Sequence, residues 1–384
     1  MGRKRYVNAV LLSILACMLA WANDGFSDPL PKSTQAILKK LNLESSILSG
    51  LDSELRVSGD LLEKAKKEGA LRITSTMDAS EADTLLGPFK ERYPFIKEFK
   101  VVRTTRRERV KTLLAYRSGR IITDVQTAMG GLMLDFKKAN ALEDLSDLPT
   151  FKNLPEGARD PEGQWVGIET NFWCIAYNTQ LVKKQELPQW EDLVTNPRWR
   201  GGNLALGNRP ELWALPLWTA KGEQWGKGFL TRLFREVHPQ LRKEGMNALT
   251  ELLAAGEFQL VIPQTQSHVY QKLQTGAPVG YHCPEPVPGT VVDTVVIKGA
   301  ANVYAGKLFM NWVLSKEGQI AQYAATDSAP SHRDLIRKEF IPLGEEVAGK
   351  KVSYRVDDLQ VRNQVYEFWN NLWLHAGKGM SRAR

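Results

Sequence analysis

The chain has 384 residues, with 51 Lys and Arg against 43 Asp and Glu, and a formal charge of +8 at pH 7. The basic residues are spread out, with no Lys/Arg block of the kind that marks a nucleic-acid tail, and the length suits two lobes with a core each. Three cysteines and five scattered histidines, with no CxxC and no Cys/His metal spacing, argue against a metal framework.

The first 22 residues are expected to be a secretory signal peptide. Arg3, Lys4 and Arg5 precede an apolar run, Val7–Ala22, that is short for a membrane span and is followed at once by Asn23-Asp24. Ala20-Trp21-Ala22 is a small-x-small cleavage site. Two alternatives are a short membrane anchor and lipidation at Cys17. Leu15 and the apolar Met18-Leu19-Ala20 fit a lipidation signal poorly. No later segment is apolar enough to span a bilayer, so the mature chain, with a charge of about +5, is expected to be soluble in the compartment to which it is exported.

Residues 23–68 read as a polar, partly helical lead-in, with Ile37, Leu38 and Leu41 at helical spacing. Strand, helix, strand, helix then follow: a strand at Leu71–Thr76, an amphipathic helix at Ala79–Tyr93 containing Pro88, and a strand at Phe99–Arg103. A helix at Arg106–Ser118, a strand at Ile121–Val125 and a helix near Gly131–Lys138 complete the unit. That alternation predicts a parallel α/β sheet. Asp160–Gly163 is a turn, and Trp165–Tyr177 is a long extended run rich in aromatic and β-branched residues. It reads as a strand leaving one lobe for another.

Beyond it come a helix at Glu191–Thr195, a strand at Asn203–Leu206 and helices at Arg209–Ala220, Gly226–Phe234 and Gly245–Ala255. A buried strand at Phe258–Ile262, a helix at Val269–Gln274 and an extended Gly280–Pro288 follow. Thr290–Ile297 reads as the return strand, Tyr304–Leu314 as an amphipathic helix, and Val356–Trp373 as a C-terminal helix. The expected division is a first lobe over 69–168 and 290–335, a second over 169–289, and a C-terminal helical segment over 336–384. Cys174 and Cys283 fall on the two crossings. In an oxidising compartment they form a disulfide or remain two buried thiols.

In open α/β sheets ligands bind beyond the carboxyl ends of strands, where helix N-termini offer free N–H groups. The candidate ligand-binding residues are therefore Ser75 and Thr76, Arg103, Thr104 and Thr105, Gln126 and Thr127, Asn208 and Arg209, Gln264 and Thr265, with Trp173 on the crossing strand. Ser, Thr and Asn at such places also cap helices, which is their commonest use. Arg103 and Arg209 offer planar donor forks for a carboxylate or phosphate. There is no GxSxG, P-loop, HExxH or GxGxxG after a strand, and Gly130-Gly131 is a lone pair. Asp78, Glu81 and Asp83 are explained by their place at a helix start. His268 and His282 are isolated. No catalytic residue, metal or cofactor is expected.

Several segments carry a family likeness: Pro88–Ile96, Asp160–Gly167, Ala176–Thr179, Trp190–Leu193, Asn196–Gly201 and Ala305–Gln319. Over about residues 61–335 the chain resembles periplasmic solute-binding proteins of ABC importers, in the branch that includes ferric-iron, thiamine, polyamine and phosphonate binders. The resemblance implies a type II two-lobed periplasmic-binding-protein fold. In that fold each lobe is a mainly parallel sheet with flanking helices, and hinge strands join the two. It also implies a monomer that closes on a small-molecule solute and docks onto an inner-membrane permease with its ATPase. Iron-binding members place adjacent tyrosines after the strand that matches Phe258–Ile262. Here that place reads Pro263-Gln264-Thr265-Gln266-Ser267-His268, with amides and hydroxyls that are poor ferric ligands. An organic, anionic solute is the expectation. A ferric-iron binder of the same family, an exported enzyme and a ligand-sensing subunit are the alternatives.

Overall fold

The computed structural model describes residues 29–105, 108–129, 132–354 and 358–380. The signal-peptide expectation, Cys17 and the Gly130-Gly131 pair lie outside the described residues. Among those described, no helix is long and apolar enough to cross a membrane.

Strands β1 (Ala70–Ser75), β2 (Glu98–Arg103) and β3 (Val125–Thr127) form the parallel part of the first lobe, with β1 between the other two. The connecting helix Ala79–Arg92 starts at a capping box. The Glu81 backbone N–H donates to the Asp78 carboxylate at 2.9 Å, and the Asp78 N–H donates to Glu81 at 2.8 Å. These two acidic groups are thereby accounted for as helix-starting residues. Pro88 lies inside the helix without ending it. The third strand begins later than its β-branched run suggests, because Asp124 is committed to side-chain bonding. Its carboxylate accepts from the Arg72 backbone at 2.7 Å, from the Arg72 guanidinium, and from Asn302 Nδ2 at 2.9 Å.

Strand β4 (Val166–Asn178) is the axis of the molecule. After it come β5 (Leu204–Gly207), β6 (Gln240–Arg242), β7 (Leu260–Thr265), β8 (Val279–His282), β9 (Val287–Val296) and β10 (Val352–Tyr354). The sheet order is β2-β1-β3-β9-β4-β7-β5-β6. From Val166 to Phe172, β4 pairs antiparallel with β9, and from Trp173 onward its partners are β7 and β8. The change of partner between adjacent residues is where one lobe gives way to the other. β10 adds a third extended segment at this crossing, parallel to the start of β9. Neither β6, β10 nor the helix Lys316–Thr326 was evident from periodicity.

The lead-in and the C-terminal helix both pack into the cores. Ile37, Leu38, Leu48 and Leu51 of the lead-in pack in the first-lobe core. Val365, Trp369 and Trp373 of the C-terminal helix Leu359–Met380 pack in the second, where Trp369 meets Trp213 edge-on at 6.0 Å. Cys174, on β4, and Cys283, just after β8, form a disulfide with Cα atoms 5.0 Å apart.

At the first-lobe end of β4 lies a carboxyl with an unusual environment. The strand is irregular between Gly167 and Thr170. Glu169 there accepts hydrogen bonds from Gln322 and Thr326 of the helix Lys316–Thr326. Burial pushes its pKa up to about 7, with help from the charge of Glu81 and against hydrogen bonds from Ser328, Thr326 and Gln322. The folded state therefore favours the protonated acid. The stability this contributes is full below the ordinary carboxyl value of 4.5 and is lost as pH rises through about 7. Glu169→Gln is expected to leave stability near pH 4 unchanged and to raise it at pH 8 by roughly 3 kcal/mol. Urea midpoints of the two proteins at both pH values check this. Equal pH slopes would exclude it.

Candidate functional site

The parallel strands of the two lobes end on a common opening. A cleft of about 650 Å³ lies where β4 and β9 pass between the lobes. Its first-lobe wall is Ala128, Met129 and Leu132, which follow β3, together with Arg109 after β2. Its second-lobe wall is Arg209, Glu211 and Leu212 after β5, with Met246 after β6. The floor is made by Asn171 and Trp173 on β4 and by Thr290 to Asp293 on β9. This is the strand-end placement expected of a ligand site in α/β sheets. The volume suits a small solute. A larger groove, about 1120 Å³, lies between the C-terminal helix and Phe234 in the second lobe. None of its lining residues comes from the first lobe or from the crossing strands, so it lacks the two-sided construction of the cleft.

Trp173 is fixed at the floor by its own polar handle. Its indole N–H donates to Thr290 Oγ1 at 2.8 Å, which ties β4 to β9 across the crossing. The ring remains available as an apolar face in the cleft. Arg209 follows the turn after β5, where its N–H bonds the Gly207 carbonyl at 2.8 Å. The preceding Asn208 accepts from the Trp369 indole N–H at 2.8 Å, so the C-terminal helix holds the loop that presents Arg209. Arg362 and Tyr366, one helical turn apart on that same helix, also line the cleft.

Charge in the cleft is unbalanced. Arg109, Arg209 and Arg362 face it, against the carboxylates Glu211 and Asp293. Among the described residues, the guanidinium groups of Arg209 and Arg362 have no hydrogen-bond or ion-pair partner. A half-buried cation without a counter-ion carries a desolvation cost that a bound anion would offset.

The structure brings Trp173 and Arg209 together at this cleft and places the other expected residues around it in different settings. Ser75 and Thr127 are buried at the ends of β1 and β3 and hydrogen-bond each other at 3.1 Å. Thr76 is exposed. Arg103 lines a separate hollow of about 310 Å³ with Met77 and Asp78. The Thr104 hydroxyl donates to the Thr105 carbonyl at 3.4 Å, and the Thr105 hydroxyl donates to Glu108 at 3.0 Å. Gln126 lies within β3, fully buried, and neither of its amide atoms is hydrogen-bonded among the described residues. Gln264 and Thr265 are the last residues of β7, opposite Cys174 and Trp173 on β4. The Gln264 amide donates to the Met246 carbonyl at 3.0 Å, and the Thr265 hydroxyl meets Ser267 Oγ at 3.0 Å and caps the helix Gln266–Gln274. Arg109, Asn171, Glu211, Thr290, Asp293, Arg362 and Tyr366 escaped the sequence reading. For Arg362 and Tyr366 a helical signal existed in the i, i+4 spacing, but nothing local says which lobe that helix joins.

Comparison with known proteins gives a consistent set. The family described as bacterial extracellular solute-binding protein matches residues 124–342, more than half of the chain. Iron uptake protein A1 of Synechocystis sp. is 32% identical over 120 residues, which are 29% of this chain and 32% of that protein. An uncharacterized protein of Haemophilus influenzae is 28% identical over 186 residues and is matched over 53% of its length. The chain thus spans about half or less of the curated relatives it matches. Among solved structures, a putative extracellular solute-binding protein from Bordetella parapertussis superposes with a TM-score of 0.67 at 18% identity, covering 81% of this chain and 99% of that one. Trichodesmium IdiA/FutA in complex with iron and citrate superposes with a TM-score of 0.62 at 19% identity, covering 82% and 98%. These likenesses show a two-lobed binding-protein fold.

Proposed function

This chain belongs to the bacterial extracellular solute-binding protein family, and from that membership we propose that it is the exported, solute-capturing component of an ABC importer. It holds a small organic anion between its lobes and presents it to an inner-membrane permease and its ATPase. The observation that carries this reading is a cleft walled by both lobes in which the Arg209 guanidinium has no counter-ion among the described residues. A solute that touches both walls binds the closed arrangement better than the open one, so closure follows from binding. The guanidinium supplies a planar fork for a carboxylate or phosphate, and the Trp173 ring supplies an apolar surface for the body of the molecule.

Arg209→Gln is expected to weaken capture of such an anion by about ten- to a hundred-fold, since a charge-assisted hydrogen bond contributes roughly 1.5–3 kcal/mol. Calorimetric titration of both proteins measures it, and equal affinities would sink the reading. A second reading is ferric iron taken as a complex with an organic anion. It is favoured by the oxygen donors Tyr366, Glu211 and Asp293 in the same cleft and by the iron named for several relatives. Among the described residues no group of three or more His, Cys, Asp or Glu side chains is placed to hold a metal ion. On this reading an anion has to complete the coordination, and ferric ion supplied without one binds poorly.

A further inference from the structure

We propose that the C-terminal helix Leu359–Met380 is a working wall of the solute site, and that Arg362 on it makes the cleft selective for solutes carrying two or more separated anionic groups. The inference rests on the organic-anion reading above and narrows it to a substrate class.

Three observations meet here. First, the helix is built into the second lobe and does not hang from it. Val365, Trp369 and Trp373 face the lobe core, Trp369 and Trp373 stack at 5.6 Å, and the Trp369 N–H holds Asn208 at 2.8 Å. With that face committed to the core, Arg362 and Tyr366 on the neighbouring face are carried to the cleft.

Second, the three cleft arginines come from three distant parts of the chain. Arg109 follows β2, Arg209 follows β5, and Arg362 opens the C-terminal helix. Arg209 and Arg362 reach the cleft by different routes and neither has a partner among the described residues. Two guanidinium groups that bond no partner among the described residues repel each other in one partly desolvated space, and one small monoanion bonds only one of them. A solute with two anionic groups relieves both guanidinium groups at once.

Third, the groups around the arginines fit a compact acid and not an extended anionic chain. The floor carries Asn171, Thr290 and the Trp173 ring, and the cavity, at about 650 Å³, is closed below by β4 and β9. Small di- or tricarboxylates and phosphorylated carboxylic acids have the size and charge spacing that this arrangement accommodates. Glu211 and Asp293, in the same cleft, disfavour further negative charge beyond what the arginines balance and accept hydrogen bonds from hydroxyl groups on such a molecule.

The test is calorimetric titration of the mature protein with malonate, succinate, glutarate, citrate and 3-phosphoglycerate, set against acetate and butyrate, with the Arg362→Gln and Arg362→Lys variants run beside it. The wild type is expected to bind at least one polyanion ten-fold or more tighter than either monoanion. Arg362→Gln should lower polyanion affinity ten- to a hundred-fold and monoanion affinity by clearly less, so that the ratio between them falls several-fold or more. Arg362→Lys should fall between the two, because it keeps the charge and loses the fork. Unchanged unfolding midpoints in the variants separate this from a folding defect. If the wild type binds organic anions but Arg362→Gln leaves the ratio of polyanion to monoanion affinity intact, the inference fails and the organic-anion reading stands. If the wild type binds none of these anions, the organic-anion reading fails and the inference with it.

Discussion

Replacing Cys174 and Cys283 together by Ser is expected to lower the unfolding free energy of the protein by about 3–5 kcal/mol. The bond closes a loop of 109 residues that contains β5 to β8, nearly all of the second lobe. Restricting a loop of about that length in the unfolded chain is worth roughly 4.7 kcal/mol in the chain-entropy model, and native disulfides of exported domains typically contribute about 2–5. The same loss should follow from reduction of the wild type. Urea unfolding with and without reductant measures it. Two free thiols titrating in the folded, unreduced protein would contradict it. The bond lies next to Trp173 on β4, so its removal should also loosen the floor of the cleft and weaken capture.

Glu317→Ala is expected to cost about 3–5 kcal/mol, as breaking a buried ion pair from one side does. The Glu317 carboxylate is 1% exposed and accepts from four donors. The Arg92 guanidinium approaches at 2.7 and 2.9 Å, the Trp312 indole N–H at 2.8 Å and the Thr34 hydroxyl at 2.7 Å. Deleting the acceptor leaves a largely buried Arg92 without its counter-ion. The effect should appear as a lower urea midpoint in far-UV circular dichroism, with solute affinity of the folded fraction retained because Glu317 is not among the cleft-lining residues. A loss under 1 kcal/mol would mean that solvent replaces these bonds. Because Thr34 belongs to the lead-in, this cluster also fastens residues 32–40 to the first lobe.

The α/β alternation was legible because each helix and strand has its own period. The crossing strand was legible because thirteen residues of extended backbone, Val166–Asn178, are long for one lobe. The sites were less so. Loops after β3 and β5 do line the cleft, but the hydroxyls chosen from sequence at Ser75, Thr127 and Thr265 are taken up by one another, by Ser267 or by the backbone. A strand two or three residues longer than its apolar run, as β7 is, takes Gln264 and Thr265 out of the following loop and into the ladder. Arg362 and Tyr366 were out of reach for a different reason. Their distance in sequence from Arg209 is bridged only by the tertiary packing of Trp369 against Trp213, which no local pattern announces. The helix Lys316–Thr326 was hidden because its buried face mixes polar Glu317, Gln319 and Gln322 with Ile320 and Ala321, which leaves only a weak apolar stripe to read.

Thermal unfolding of the protein against a panel of phosphate, phosphonates, carboxylates, thiamine, polyamines, amino acids, sugars and ferric iron tests whether the interlobe cleft captures an organic anion. A ligand at a hundred times its dissociation constant adds roughly 2.7 kcal/mol, enough for a rise of several degrees. That rise is expected with an organic anion and is expected to be lost in Arg209→Gln. A rise confined to cationic or neutral solutes, or to ferric iron without an accompanying anion, would contradict it.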